Sequence, residues 1–141
     1  MDVNVRYLGG KMFEMTARGH RVLTDQPVDN KGTDAAMTPP ELFLSSLGAC
    51  AAYYAAEYLN ARNLPTAALQ VLVSAVKGDR PVRITSLEVE VIAPGLDERH
   101  REGLRRAVDL CLIKNTLVKT PEIALTIVSP ADLPQPEPVL S

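Results

Sequence analysis

The run TPPELFLSSLGACAAYYAAEYLNAR, from Thr38 to Arg62, constrains this chain more than any other part of it. Thr38 is placed to cap a helix, Pro39 suits its first position, and Glu41 completes a capping box. Asn63 and Pro65 supply the stop. A helix of this length is long for a chain of 141 residues, so the remaining elements must be arranged around it. Phe43, Leu47, Cys50, Tyr54 and Tyr58 recur at helical spacing and share one face. Serines, alanines and Gly48 leave the rest of the surface nearly flat, open to close approach by other backbone. The pattern predicts a central helix packed on several sides.

Around it the chain reads as short strands. Val3 to Leu8, Met12 to Ala17 and Arg21 to Thr24 are strand candidates, separated by Gly9-Gly10 and Gly19-His20. Asp25 to Met37 is a polar, turn-rich loop whose length marks it as part of a candidate site. After the helix come Leu69 to Lys77 and Val82 to Ile92, joined by Gly-Asp-Arg-Pro into a hairpin. In the second of these, Thr85, Leu87, Val89 and Val91 alternate with Ser86, Glu88 and Glu90. Asp97 caps a second helix, with Leu104, Ala107, Val108 and Cys111 as its apolar stripe. Glu122 to Val128 reads as a final strand. The order βββ-α-ββ-α-β, rich in hairpins, predicts an α+β fold. One domain is expected over residues 1–128, followed by a proline-rich tail over 129–141.

Composition narrows the function. Apolar residues make up 46% and charged ones 23%, the balance of a globular chain. A net charge of -2, no Trp and only two Phe argue against a nucleic-acid partner, which needs a basic surface and stacking platforms. The N-terminal MDVNVRYLGGK lacks the pattern of a signal peptide, and no apolar run is long enough to span a membrane. A cytoplasmic location and no membrane partner are the expectation. Two cysteines without a CxxC or HxxxH pair suggest neither a disulfide framework nor a zinc site.

Each cysteine lies on an apolar stripe, as a small core residue would. The alternative is redox chemistry, which requires a thiolate. Three turns into its helix, Cys50 is too far from the helix N-terminus to gain much from the dipole. Cys111, near the end of its predicted helix, is disfavoured as a thiolate. As a couple, Cys50 is the better attacker and Cys111 the better resolver.

TPPELFLSSLGAC before Cys50 and AVDLCLIKNTLVKTPEIALTI around Cys111 resemble the two signature regions of the OsmC/Ohr family. GHRVLTDQP also resembles the stretch before the variable loop in its OsmC-like branch. The resemblance runs from about Arg6 to Val128 and agrees with the element order read above. It implies an intertwined homodimer with reactive sites at the interface. It also implies thiol-dependent reduction of small organic hydroperoxides without cofactor or metal, in oxidative or osmotic stress defence. Cys50 would attack the peroxide and become a sulfenic acid. Cys111 would condense with it to a disulfide, and an external dithiol, such as a lipoylated protein, would restore both thiols.

The resemblance further implies a catalytic arginine from the early strands, held by a glutamate at the start of the central helix. Arg18 is the first candidate and Arg21 the second, with Arg6 on the first strand. The glutamate position falls on Pro40, one step before Glu41. Glu41 fits the Pro-x-Glu-Leu pattern and is also the acid of the capping box. His20 reads as a turn residue, Asp25 as its orienting partner or a loop cap, and Lys114 as a helix-end charge. Two other functions fit the same residues: binding of a small apolar ligand at the dimer interface without turnover, and acyl transfer or hydrolysis with Cys50 as nucleophile and His20 as base.

Overall fold

The computed structural model describes residues 1–129; residues 130–141, which hold nearly all of the expected proline-rich tail, lie outside the described residues. The fold is α+β, with two antiparallel sheets and three helices. Strands β1 (Asn4–Gly9), β2 (Met12–Ala17) and β3 (His20–Thr24) form a meander in sequence order. The loop that follows contains a single 3-10 turn at Val28–Asn30. It folds back on itself through Asp25 N–H, which donates to the Met37 carbonyl at 3.3 Å. Gly32 lies so close to Gln26 that a β-carbon there would fall 1.8 Å from the Gln26 carbonyl oxygen.

Helix α1 spans Pro39–Asn60, with the expected capping box at Thr38 and Glu41. Its buried face is Leu47, Gly48, Ala51, Ala55 and Leu59; of the predicted face Leu47 is buried, while Phe43, Cys50, Tyr54 and Tyr58 lie one step round and are half-buried. The small side chains are what other elements approach. Gly48 meets Val73, where a β-carbon would lie 3.1 Å from the valine methyl. The tyrosines, being larger, sit at the edge of the packed face, half-buried or exposed.

The hairpin β4 (Gln70–Asp79) and β5 (Val82–Ile92) packs on α1, mainly through β4. Leu87, Val89 and Val91 are half-buried while Glu88 and Glu90 are exposed, as their alternation predicts. Helix α2 (Glu98–Val108) lies across α1 and contributes Leu104 to a core shared with Ala55 and Leu59. Tyr58 rests on Gly103 of α2, and its hydroxyl meets Nδ1 of His100 at 3.2 Å.

Two expectations fail here. The second helix does not continue through Cys111. It ends at Val108, and a separate helix α3 (Leu112–Val118) begins after Cys111. Asp109 sits at the break, where its carboxylate takes Arg105 of α2 at 2.8 Å and also Lys114 of α3. The final strand, Glu122 to Val128, is not formed. Its Ile123, Leu125 and Ile127 alternate as a strand requires, yet each is 88% exposed. A strand needs an edge to receive its backbone hydrogen bonds, and this segment pairs with neither sheet of the chain.

Candidate active site

Both cysteines are free thiols, and the fold brings them together. Helix α1 presents Cys50, half-buried, about three turns from its start. The bend after α2 presents Cys111, which is completely buried. Cys111 is the N-cap of α3, in non-helical conformation, and its Sγ accepts the Lys114 N–H at 3.4 Å. A hydrogen bond links the two thiols, and the Cys50 sulfur also accepts from the backbone N–H groups of Ile113 and Leu112. All three first-turn N–H donors of α3 therefore end on sulfur.

This arrangement separates the two acidities. Burial pushes the Cys50 thiol up, but the Cys111 thiol and the Ile113 and Leu112 amides outweigh it, so Cys50 lies below the ordinary thiol value. Burial likewise pushes Cys111 up. Its hydrogen bond to Cys50 and the repulsion from a Cys50 thiolate add to that, and Cys111 ends above the ordinary value. The pair is arranged so that Cys50 is the more acidic of the two thiols and Cys111 the less. The expectation that a helix terminus disfavours charge at Cys111 needs correction, because Cys111 begins a helix instead of ending one. The amides of that helix start are divided between the sulfurs, Leu112 and Ile113 acting on Cys50 and Lys114 and Ile113 on Cys111, and burial and Cys50 still outweigh them at Cys111.

The other predicted residues lie elsewhere. Glu41 is held by the cap: its Oε2 accepts from Thr38 N–H at 2.7 Å and from the Thr38 hydroxyl at 2.8 Å. Arg18 sits exposed in the β2–β3 turn in left-handed conformation, beside Asp2, Asn4 and Thr16. Arg21, on β3, pairs with Glu14 of β2, which also takes Arg6 of β1 at 2.8 Å. Neither arginine is among the groups that set the Cys50 acidity within one chain. The three-stranded sheet that carries them makes no substantial contact with α1.

Sequence reading missed two features. Glu14 is buried under its two arginines, and the strand register aligning Arg6 with Glu14 is the signal that would have found it. The Leu112 and Ile113 amides carry no side-chain signal. Asp25 is a loop cap and not a partner of His20: its Oδ2 accepts from Thr33 N–H, the Thr33 hydroxyl and Ala35 N–H, at 3.0, 2.6 and 3.2 Å. Lys114 pairs with Asp109 near the start of α3, so it is not a helix-end charge.

An apolar cavity of about 710 Å³, with neither cysteine in its lining, lies between β5, α2 and α3. Leu47 of α1, Leu87, Val89 and Val91 of β5 and Leu117 of α3 are among its walls, and Arg101, Arg105 and Lys114 stand at its edge. Among the described residues, no group of three His, Cys, Asp or Glu side chains is placed to hold a metal. Among them, too, no helix is long and apolar enough to cross a membrane.

Comparison of whole sequences with curated proteins finds no match. Solved structures do match. A candidate osmotic stress induced and detoxification response protein from Psychrobacter arcticus 273-4 superposes with a TM-score of 0.72 at 20% identity, over 81% of this chain and 85% of that one. An OsmC like protein from Mycoplasma pneumoniae gives 0.68 at 18%, over 84% and 87%. An organic hydroperoxide resistance protein OsmC from Legionella pneumophila gives 0.62 at 16%, over 83% and 89%. At these identities the likeness is one of fold. The sequence profile described as OsmC-like protein matches residues 32–126, which hold α1, both cysteines and everything between them. With two thirds of its length under that match, the chain belongs to the OsmC-like protein family.

Proposed function

We propose that this protein is a thiol-dependent peroxidase that reduces organic hydroperoxides in oxidative or osmotic stress defence. The observation that carries the proposal is the hydrogen-bonded pair of a Cys50 whose pKa is lowered and a buried Cys111 whose pKa is raised. The Cys50 thiolate attacks the distal oxygen of ROOH, and the O–O bond breaks. The alkoxide takes a proton and leaves as ROH, while Cys50 becomes a sulfenic acid. The Cys111 sulfur then attacks the Cys50 sulfur, and water leaves as the disulfide forms. An external dithiol, of the lipoylated type, returns both thiols. Membership of the family supports this reading, as does the name of the Legionella pneumophila neighbour.

The catalyst in this proposal is an intertwined homodimer of one-domain chains. It supplies what one chain lacks, a cation beside Cys50 to favour the thiolate and the leaving oxygen. Arg18 or Arg21 of the three-stranded sheet fills that role when the sheet packs over a second copy. Glu41 acts as a helix cap. The proposed location is the cytoplasm.

Mixing the reduced protein with one equivalent of cumene hydroperoxide tests the reading. Two thiols are expected to disappear per chain, with a Cys50–Cys111 disulfide in the peptide map. A Cys50→Ser variant is expected to leave the peroxide intact. Persistence of both thiols in the wild-type protein sinks the proposal.

The apolar cavity favours a second reading, a binding protein for a small apolar ligand without turnover. Retention of affinity for such a ligand by Cys50→Ser, together with inert thiols in the wild type, would select it.

A further inference from the structure

Helix α3 is seven residues long, buries none of its side chains completely, and begins without a Ser, Thr, Asp or Asn cap. Helices this short depend on what satisfies their ends, because few internal hydrogen bonds hold them. Here the first-turn donors Leu112, Ile113 and Lys114 are all satisfied by sulfur, Leu112 by Cys50, Ile113 by both cysteines and Lys114 by Cys111. The helix start is also tied by the Lys114–Asp109 ion pair, by the Asn115 N–H to Cys111 carbonyl bond and by the Thr116 hydroxyl, which donates to the Leu112 carbonyl at 2.8 Å.

We propose that the cysteine pair is a redox-controlled fastening for α3, which holds the helix against α1 as dithiol and releases its first turn as disulfide. The inference rests on the peroxidase reading for its natural oxidant, an organic hydroperoxide. Its chemistry is the sequence already given: ROOH takes two electrons from the two thiols, giving ROH, water and the S–S bond. That bond draws the sulfurs to about 2.05 Å and fixes the dihedral angle across them near 90°. A thiolate acceptor becomes a neutral disulfide sulfur, a far weaker acceptor for amides. Leu112, Ile113 and Lys114 lose their partners together.

The release reaches beyond the pair. Leu117 and Val118 of α3 form part of the wall of the apolar cavity, and the exposed Ile123–Val128 segment follows a few residues later. Oxidation at Cys50 therefore changes the cavity wall and the anchorage of the C-terminal segment. A partner that reads this surface, such as the reductant, meets different shapes in the two redox states.

Hydrogen exchange on the full chain tests this, with free thiols counted in the same samples. Amides 112–114 are expected to exchange about fivefold to tenfold faster in the disulfide form, the scale of a lost helix cap. Amides of α1, β4 and β5 should keep their rates, and a dithiol should restore protection. Cys50→Ser keeps an oxygen acceptor for the amides and forms no intramolecular disulfide, so peroxide should leave its α3 protection unchanged. Where cumene hydroperoxide fails to consume the thiols, the peroxidase reading fails, and diamide imposes the disulfide so that α3 is still measured. Equal protection of 112–114 in both forms overturns the fastening. So does a rise in exchange across the whole chain, or a pair that neither oxidant can close.

Discussion

Asp25 carries more of the local structure than a loop aspartate usually does. One carboxylate oxygen receives the Thr33 hydroxyl and the Thr33 and Ala35 amides, and so closes the loop that leads into α1. The Thr33 hydroxyl is the main cause that lowers its pKa from 3.8 to about 2, with the Gln26, Ala35 and Thr33 amides adding to it against desolvation. A carboxylate more acidic in the folded chain stabilises it fully above the unfolded value and loses that contribution as pH falls toward the folded one. Wild-type melting temperature is therefore expected to drop as pH goes from about 4 to about 2. Asp25→Asn should melt lower near neutrality and show a flatter acid limb in a thermal melt series. Parallel limbs would remove Asp25 from the acid transition. Cys50 was readable as a candidate from its helical spacing and flanking motif, because side chains carried the signal. Its activating partners were not, because two of the three are backbone amides whose position only the fold sets.

The elements record where pattern and packing part. Helix α1 was legible to its cap, since Thr38, Pro39 and Glu41 act within one turn. Its buried face was displaced by one step, because bulk suggests a core where smallness permits contact. Leu59, 1% exposed, is with Leu47 a large side chain that the small-residue face does bury, and it packs with Leu104, Leu64 and Val91. Leu59→Ala leaves a cavity that alanines on either side cannot fill, and is expected to cost about 2–5 kcal/mol in urea unfolding. A loss below about 1 kcal/mol would mean that α2 closes onto α1, which the Tyr58–Gly103 contact opposes. The break between α2 and α3 escaped the sequence because the apolar stripe keeps helical spacing through it. Asp109 sits between Arg105 and Lys114, and that ion-pair geometry exists only once the chain has turned.

At the scale of the molecule, one chain leaves two apolar surfaces without cover. The register Val5–Met15–Val22 and Tyr7–Phe13 puts these residues on one face of the three-stranded sheet. Val5, Tyr7, Phe13 and Val22 on that face are 38 to 62% exposed. The second surface is the unpaired Ile123, Leu125 and Ile127. The strand pattern of that segment was legible, and its partner edge was not, because sequence does not say which copy supplies it. Burying side chains of this size stabilises by about 1.5–3 kcal/mol each, so a sheet that leaves four of them wet is held poorly on its own. The dimer proposed above would cover both surfaces at once, with sheet and C-terminal segment exchanged across a two-fold axis. Light scattering at micromolar concentration is then expected to give about twice the 15.3 kDa of one chain. Phe13→Glu places a charge at the middle of the sheet face and should shift dissociation by at least about two orders of magnitude. Arg6→Gln, on the opposite face, should leave it alone. If the dimer supplies the cation beside Cys50, Phe13→Glu also raises the Cys50 pKa, read as thiolate absorbance against pH, in proportion to the monomer formed. A wild-type protein that is monomeric yet keeps its thiolate at neutral pH would locate the activating groups in Cys111, Leu112 and Ile113 alone, and leave Arg18 and Arg21 without a part in it.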